Sequence, residues 1–223
     1  MNILLIDTSG RSCCVGLAVE DRLVCEEYLD TGLTHSQTLM KLISSVYERS
    51  GTERNNTRLI GVTSGPGSFT GLRIGMSTAK ALAQSFGAPI AEISTLDAIR
   101  ENTGYFDGPV VTMIDALHER VYASGYDGIS LEKGIYGLRE VLDEAEKTGR
   151  RVLFAGDGAL KYRDIIIGRG DAFSVADASD MYPRASGMLN CAMRILDSGE
   201  TKDCYEAKLD YFMASQAERN LHE

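Results

Sequence analysis

Leu59-Ile60-Gly61-Val62-Thr63-Ser64-Gly65-Pro66-Gly67-Ser68-Phe69-Thr70-Gly71-Leu72-Arg73-Ile74-Gly75, running on through Met76 to Phe86, decides how this chain is read. Leu59 to Thr63 is short, apolar and partly β-branched, which predicts a buried strand. The segment from Gly65 to Gly75 holds four glycines and a proline in eleven residues. That is the composition of a tight loop with positive-φ or close-approach positions. Met76, Ala79, Leu82, Ala83 and Phe86 then fall at helical spacing, with Gly87 placed to cap the helix end. Strand, glycine loop and helix N-terminus in that order make an anion site, because backbone N–H groups and the helix dipole point the same way. The string is not a Walker loop, since no Gly-Lys-Ser/Thr closes it. Nor is it a dinucleotide fingerprint, since Thr70 stands where the third glycine belongs. A sharp turn that presents the helix over 76–86 is the favoured reading, with a residual anion site as the alternative.

The whole chain bounds the rest. Its 223 residues are 43% hydrophobic and 25% charged, a globular composition sufficient for one large domain or two small ones. No run of apolar residues is long enough for a membrane span. Residues 1–7 lack a basic region and a cleavage site, so they read as a strand rather than a signal peptide, and a cytoplasmic protein is expected. The five cysteines, Cys13, Cys14, Cys25, Cys191 and Cys204, are odd in number and contain no Cys-x-x-Cys, which indicates neither a disulfide framework nor a zinc site. A net charge of −9 argues against strong nucleic-acid binding by this chain alone, because phosphate neutralisation needs a basic surface.

Upstream of the glycine stretch, Ile3 to Ile6 is an apolar run closed by Asp7-Thr8-Ser9-Gly10, and residues 13–20 and 22–29 read as two more antiparallel strands. Thr34 opens a helix with Gln37 at capping-box spacing. Leu39, Leu42, Ile43, Val46 and Tyr47 give that helix one apolar stripe, widened by Met40, which suits a core or a partner helix. Downstream come a strand at 90–93, a helix through Asn102, and a glycine-bearing break at 102–109 that divides residues 1–103 from residues 104–223. The second part opens as the first did. Val110 to Asp115 followed by a strand from Val121 mirrors Leu4 to Asp7 followed by Val15 to Ala18, a weak internal repeat. Gly156-Asp157-Gly158 follows a strand at 151–155, and helices are predicted over 138–147 and 185–196. Asp210 to Met213 reads as extended, and residues 217–223 as a frayed charged end.

Two lobes that each open on an Asp-ended strand hairpin resemble the actin/sugar-kinase/Hsp70 (ASKHA) superfold, an α/β architecture of mixed sheets flanked by helices. Within it, the glycine string resembles the TsaB (YeaZ) family, as do Ile6-Asp7-Thr8-Ser9, Ala79-Lys80-Ala81-Leu82-Ala83, and Asp115-Ala116 with Val121-Tyr122. The resemblance implies a subunit of the bacterial machinery that makes threonylcarbamoyladenosine beside the anticodon of tRNA. It also implies a paralogue of the glycoprotease-like protein TsaD. TsaD carries a metal-binding His-x-x-x-His motif that would fall at Thr95 and Ile99, and neither residue is a ligand. The histidines are His35, His118 and His222, with no pair at i, i+4, so no metal and no catalytic residue is expected.

Asp7, Thr8, Gly65, Gly67 and Asp115 occupy the places where ATPases of the superfold hold phosphate or metal-bound water. They are the candidates for a vestigial anion or nucleotide site, although Leu117 stands where the family usually has Arg. By the same resemblance, TsaD docks on the two helices of the first lobe, through Leu39, Leu42, Ile43, Val46, Arg73, Met76 and Lys80. Leu39, Leu42 and Val46 would then expose apolar surface in the free chain, which could pair with a second copy. The ATPase TsaE and the tRNA would join that dimer. No membrane is involved, and no cofactor is expected beyond a weakly held nucleotide at the subunit interface. An ATP-dependent phosphotransferase and a metallopeptidase-like protein are the alternative readings.

Overall fold

The computed structural model describes residues 1–210, and its first sheet is built on a strand with no polar face. Strand β1 (Asn2–Asp7) is buried along its whole length, with Ile3, Leu4, Leu5 and Ile6 all at 0% exposure, so it is covered on both sides. β2 (Cys13–Val19) pairs antiparallel with it, and β3 (Arg22–Leu29) antiparallel with β2. After helix α1 (His35–Ser50), β4 (Thr57–Gly65) returns parallel to β1. After helix α2 (Phe69–Phe86), β5 (Ile90–Ser94) lies parallel to β4. The sheet order is β3-β2-β1-β4-β5.

Helix α3 (Thr95–Asn102) leads to a second sheet made of β6 (Val110–Asp115), β7 (Arg120–Tyr126), β8 (Gly134–Gly137), β9 (Val152–Ala155) and β10 (Phe173–Val175). Between and after these strands lie α4 (Leu138–Glu146), α5 (Asp157–Lys161), α6 (Arg163–Gly168) and α7 (Ala185–Asp197). The order, β10-β9-β6-β7-β8, repeats the first sheet strand for strand. β6 takes the part of β1, antiparallel to β7 and parallel to β9. The internal repeat read from the two Asp-ended strands is therefore a repeat of whole topology, and the fold is the two-lobed actin/sugar-kinase/Hsp70-like architecture.

The lobes do not divide where the sequence suggests. Residues 1–95 and 188–210 form one compact unit, and residues 96–187 the other. The glycine-bearing break at 102–109 lies inside the second unit, and residues 188–210 belong to the first. Chemistry explains the return. One face of the first sheet is covered by α1 and α2, through Leu39, Ile43, Val46, Met76 and Ala79 against Leu4, Ile6 and Val62. At the other face, a β-carbon on Gly61 would stand 2.8 Å from Leu5 and 3.3 Å from Ala192 of α7, so α7 lies there in close contact. Beyond α7, Lys202 bridges Ile90, Ala207 enters the core, and the Asp210 amide donates to the Ser64 carbonyl at 2.9 Å.

Local differences have plain causes. Helix α2 begins at Phe69, seven residues before the predicted start, because Gly71 and Gly75 are helical rather than loop residues. Thr34 holds the position before α1 but its side chain caps nothing; its hydroxyl lies 3.2 Å from Ser36 Oγ. β8 and β10 are short, with little apolar pattern for a sequence reading to find. The extended reading of Tyr211 to Met213, the frayed reading of residues 217–223, and His222 all lie outside the described residues. Among the described residues, no helix is long and apolar enough to cross a membrane.

Candidate functional site

The glycine stretch is where the chain brings its predicted site residues together, and the reason is steric. A β-carbon on Gly67 would overlap the Ser9 carbonyl. One on Gly71 would overlap the Thr8 carbonyl, and one on Gly75 the Thr8 hydroxyl. Gly71 and Gly75 are one helical turn apart, so they make a bare strip along which α2 lies against the end of β1. Thr8 Oγ1 donates to the Gly71 carbonyl at 2.8 Å, and the Ser68 amide donates to the Ser9 carbonyl at 2.7 Å. Ser68 Oγ caps the helix by accepting from the Gly71 amide at 3.2 Å. The backbone donors at Ser68 and Gly71 are thus spent within the protein. Gly65 has a φ of +139°, and a side chain there would meet the Asp210 carbonyl.

Asp7 stands behind this strip, fully buried. Its Oδ1 accepts from the Ser9 amide at 3.0 Å and from Thr63 Oγ1 at 2.8 Å. Burial pushes the Asp7 carboxyl above the usual carboxylate range, against the lowering effect of hydrogen bonds from Ser9 and Thr63. His35, at the start of α1, holds the Gly10 carbonyl through Nε2 at 2.9 Å and so ties the β1 turn to the helix.

The second unit repeats the device with different chemistry. A β-carbon on Gly156 would overlap the Met113 carbonyl, and Gly158 approaches the same residue, so the turn after β9 lies against the end of β6. Asp157 Oδ1 accepts from the Asp115 amide at 3.0 Å. Burial pushes the Asp157 carboxyl up. Asp115 itself is occupied. Its Oδ2 holds the Lys161 ammonium at 2.7 Å, and its Oδ1 accepts from the Leu117 amide at 3.2 Å. Leu117, His118 and Glu119 all take positive φ, at 65°, 51° and 56°, and the Leu117 side chain is 57% exposed.

The fold family implies a nucleotide with its metal, and the donor set does not fit one. Asp7 is enclosed, with Oδ1 bonded to Ser9 and Thr63 and Oδ2 buried without a hydrogen-bond partner, Asp115 is paired with Lys161, and an exposed Leu117 offers nothing to phosphate. Where the paralogue carries its metal motif, Thr95 and Ile99 are buried and Ile99 packs in an apolar cluster with Val110 and Ile114. Among the described residues, no three His, Cys, Asp or Glu side chains converge as a ligand set.

The predicted partner residues divide by burial. Leu39, Ile43, Val46 and Met76 belong to the core of the first unit, at 1%, 3%, 0% and 4% exposure. Leu39 and Val46 therefore expose no apolar surface, contrary to expectation, because their stripe is consumed by the chain's own sheet. Leu42 and Lys80 are half-buried and Arg73 is exposed. The outward side of the two helices carries Met40, which widens the stripe, and Phe69, which lies outside it. Met40 is 53% exposed and Phe69 37%. With His35, Arg73, Ser77 and Thr78 they line a groove of about 550 Å³ between α1 and α2. The Arg73 guanidinium lies over the Phe69 ring, 3.7 Å from its centroid. Met40, at the edge of the apolar stripe, was the available signal for this surface.

Comparison with known proteins converges on one group. The TsaD family model, described as tRNA N6-adenosine threonylcarbamoyltransferase, matches residues 30–165. The chain is 32% identical to the tRNA threonylcarbamoyladenosine biosynthesis protein TsaB of Bacillus subtilis, across 74% of this chain and 75% of that one. It is 27% identical to the TsaB of Escherichia coli, across 99% of this chain and 98% of that one. Its fold matches that of YeaZ from Pseudomonas aeruginosa with a TM-score of 0.77 at 24% identity, covering 94% and 99% of the two chains.

Proposed function

This chain belongs to the TsaB (YeaZ) family, whose named members serve tRNA threonylcarbamoyladenosine biosynthesis, and on that premise we propose that it is a non-catalytic, scaffolding subunit of that modification. Its partner is the catalytic paralogue TsaD, with TsaE and tRNA joining the pair, in the cytoplasm. The observation that carries the reading is the pairing of spent phosphate positions with an open helix face. The glycine strip is bonded internally, Asp7 is fully buried and Asp115 is held by Lys161, while the α1/α2 groove displays Met40 and Phe69 to solvent. An exposed apolar side chain beside an exposed ring on two packed helices is suited to helix-on-helix docking. The mechanism is positional: the glycine strip seats α2 tightly on β1, which fixes the docking face against a rigid sheet. The free chain can pair with a second copy through the same face. No cofactor belongs to the chain by itself.

Reconstituted tRNA threonylcarbamoylation, run with and without this chain, tests the role. Loss of product on omission is expected, and unchanged product rejects it. Met40→Glu tests the face, because this side chain is outside the core and its replacement leaves the fold intact. Retention of wild-type TsaD binding by Met40→Glu removes the α1/α2 face from consideration.

A further inference from the structure

A second groove lies on the other side of α2, and its chemistry differs from that of the first. Arg73, Ser77 and Lys80 stand on one face of the helix at i, i+4 and i+7. Facing them is the returning segment with Ala207, Lys208 and Leu209, and Met76 is also in the lining of this groove of about 450 Å³. It combines an apolar lining with Arg73, Lys80 and Lys208, in a chain whose net charge is −9. Neither Lys80 nor Lys208 forms an ion pair among the described residues. Glu92 accepts from the Lys208 backbone amide rather than from an ammonium group. Stacking on Phe69 fixes the Arg73 guanidinium at the crest of α2. Arg73 and Ser77 line both grooves, so the basic groove is continuous with the apolar one across that crest.

We propose that Lys80 and Lys208 in this groove take a carboxylate-bearing segment of the protein that docks on the α1/α2 face. The inference rests on the docking reading above and adds the sign and place of its electrostatic contact. Charge complementarity selects the occupant. RNA is disfavoured because the cations are local while the chain as a whole is acidic, and a polyanion samples the whole field. Leu209, partly exposed in the lining, gives a peptide an apolar contact beside the cations, which inorganic phosphate would not use.

The test is a titration of the cognate TsaD with full-length wild type, with the Lys80→Glu/Lys208→Glu double variant, and with Met40→Glu. The double variant should bind about tenfold more weakly at low salt and return to within about twofold of wild type in roughly 0.5 M salt, since rim charges act through screened attraction. Equal affinity and equal salt dependence overturn the inference. Normal TsaD binding by the double variant, with weaker tRNA retention by the assembled complex, also overturns it and assigns the groove to RNA. If Met40→Glu loses TsaD and the lysine variant does not, only this inference falls. If Met40→Glu binds as wild type, the docking reading fails and takes the inference with it.

Discussion

Thr8 and Gly71 touch twice: the Thr8 hydroxyl donates to the Gly71 carbonyl at 2.8 Å, and the Thr8 carbonyl fills the space a side chain on Gly71 would need. Sixty-three residues apart in sequence, they fix the separation between the first strand and the first-unit helix that follows the fourth. In an ordinary helix, replacing an interior glycine by alanine gains about 1 kcal/mol. Gly71→Ala and Gly75→Ala should instead lose about 2 kcal/mol or more, because the clash is with backbone and a bonded hydroxyl that cannot move aside. Gly168→Ala, in α6 with open space around it, is the control and should gain up to about 1 kcal/mol. Urea unfolding of the three variants reads the difference, and a stabilised Gly71→Ala would show that the strip is not a packing device.

Asp7 should make stability depend on pH in a recognisable direction. Its folded carboxyl titrates above its ordinary 3.8 because burial penalises the charge. The folded protein therefore binds the proton more tightly than the unfolded chain, and stability falls as pH rises through the window above 3.8. Asp7→Asn removes that slope. Melting temperatures from pH 4 to pH 8 should shift in favour of the variant as pH rises, and parallel curves for the two proteins would reject the assignment.

Mg-ATP titrated calorimetrically into the isolated chain should give no micromolar binding, since Lys161 already neutralises Asp115 and Asp7 is enclosed. A micromolar, stoichiometric isotherm would return the phosphotransferase reading.

The thiols should separate by burial. Cys13, Cys14 and Cys191 are buried, and burial together with the Asp7 charge pushes the Cys13 thiol up to about 12. Cys204 and Cys25 are partly accessible, with the Cys25 thiol raised by burial and by Glu27. A thiol-specific chromophoric reagent should modify Cys204 first and Cys25 more slowly, with the remaining thiols reacting only in denaturant. Rapid native reaction at Cys13 would contradict the described core.

Much of this was legible in the residues. The apolar run ending at Asp7 and its echo ending at Asp115 gave the two sheets, because buried central strands need apolar residues on both faces. The glycines at 65, 67, 71 and 75 announced close approach, but not to what. Gly71 and Gly75 face Thr8, a contact between distant segments that no local pattern records. The stripe Leu39, Ile43 and Val46 was read correctly as an apolar face, and its partner turned out to be the chain's own sheet. The return of α7 to the first unit was hidden for a similar reason. An amphipathic helix shows that it is covered on one side, without showing by which sheet.

That return has a consequence for how the protein is made. The first unit contains residues synthesised before the second unit and others synthesised after it, since residues 188–210 complete its sheet cover. The second unit, residues 96–187, is continuous in sequence and has all its parts earlier in translation. At elongation rates of roughly 5–20 residues per second, the lobe that starts first must wait some seconds for its last pieces, unfinished, while the later lobe closes. A nascent chain exposed only as far as residue 187 would therefore carry a finished second lobe and an incomplete first one, the reverse of the order in which they are encoded.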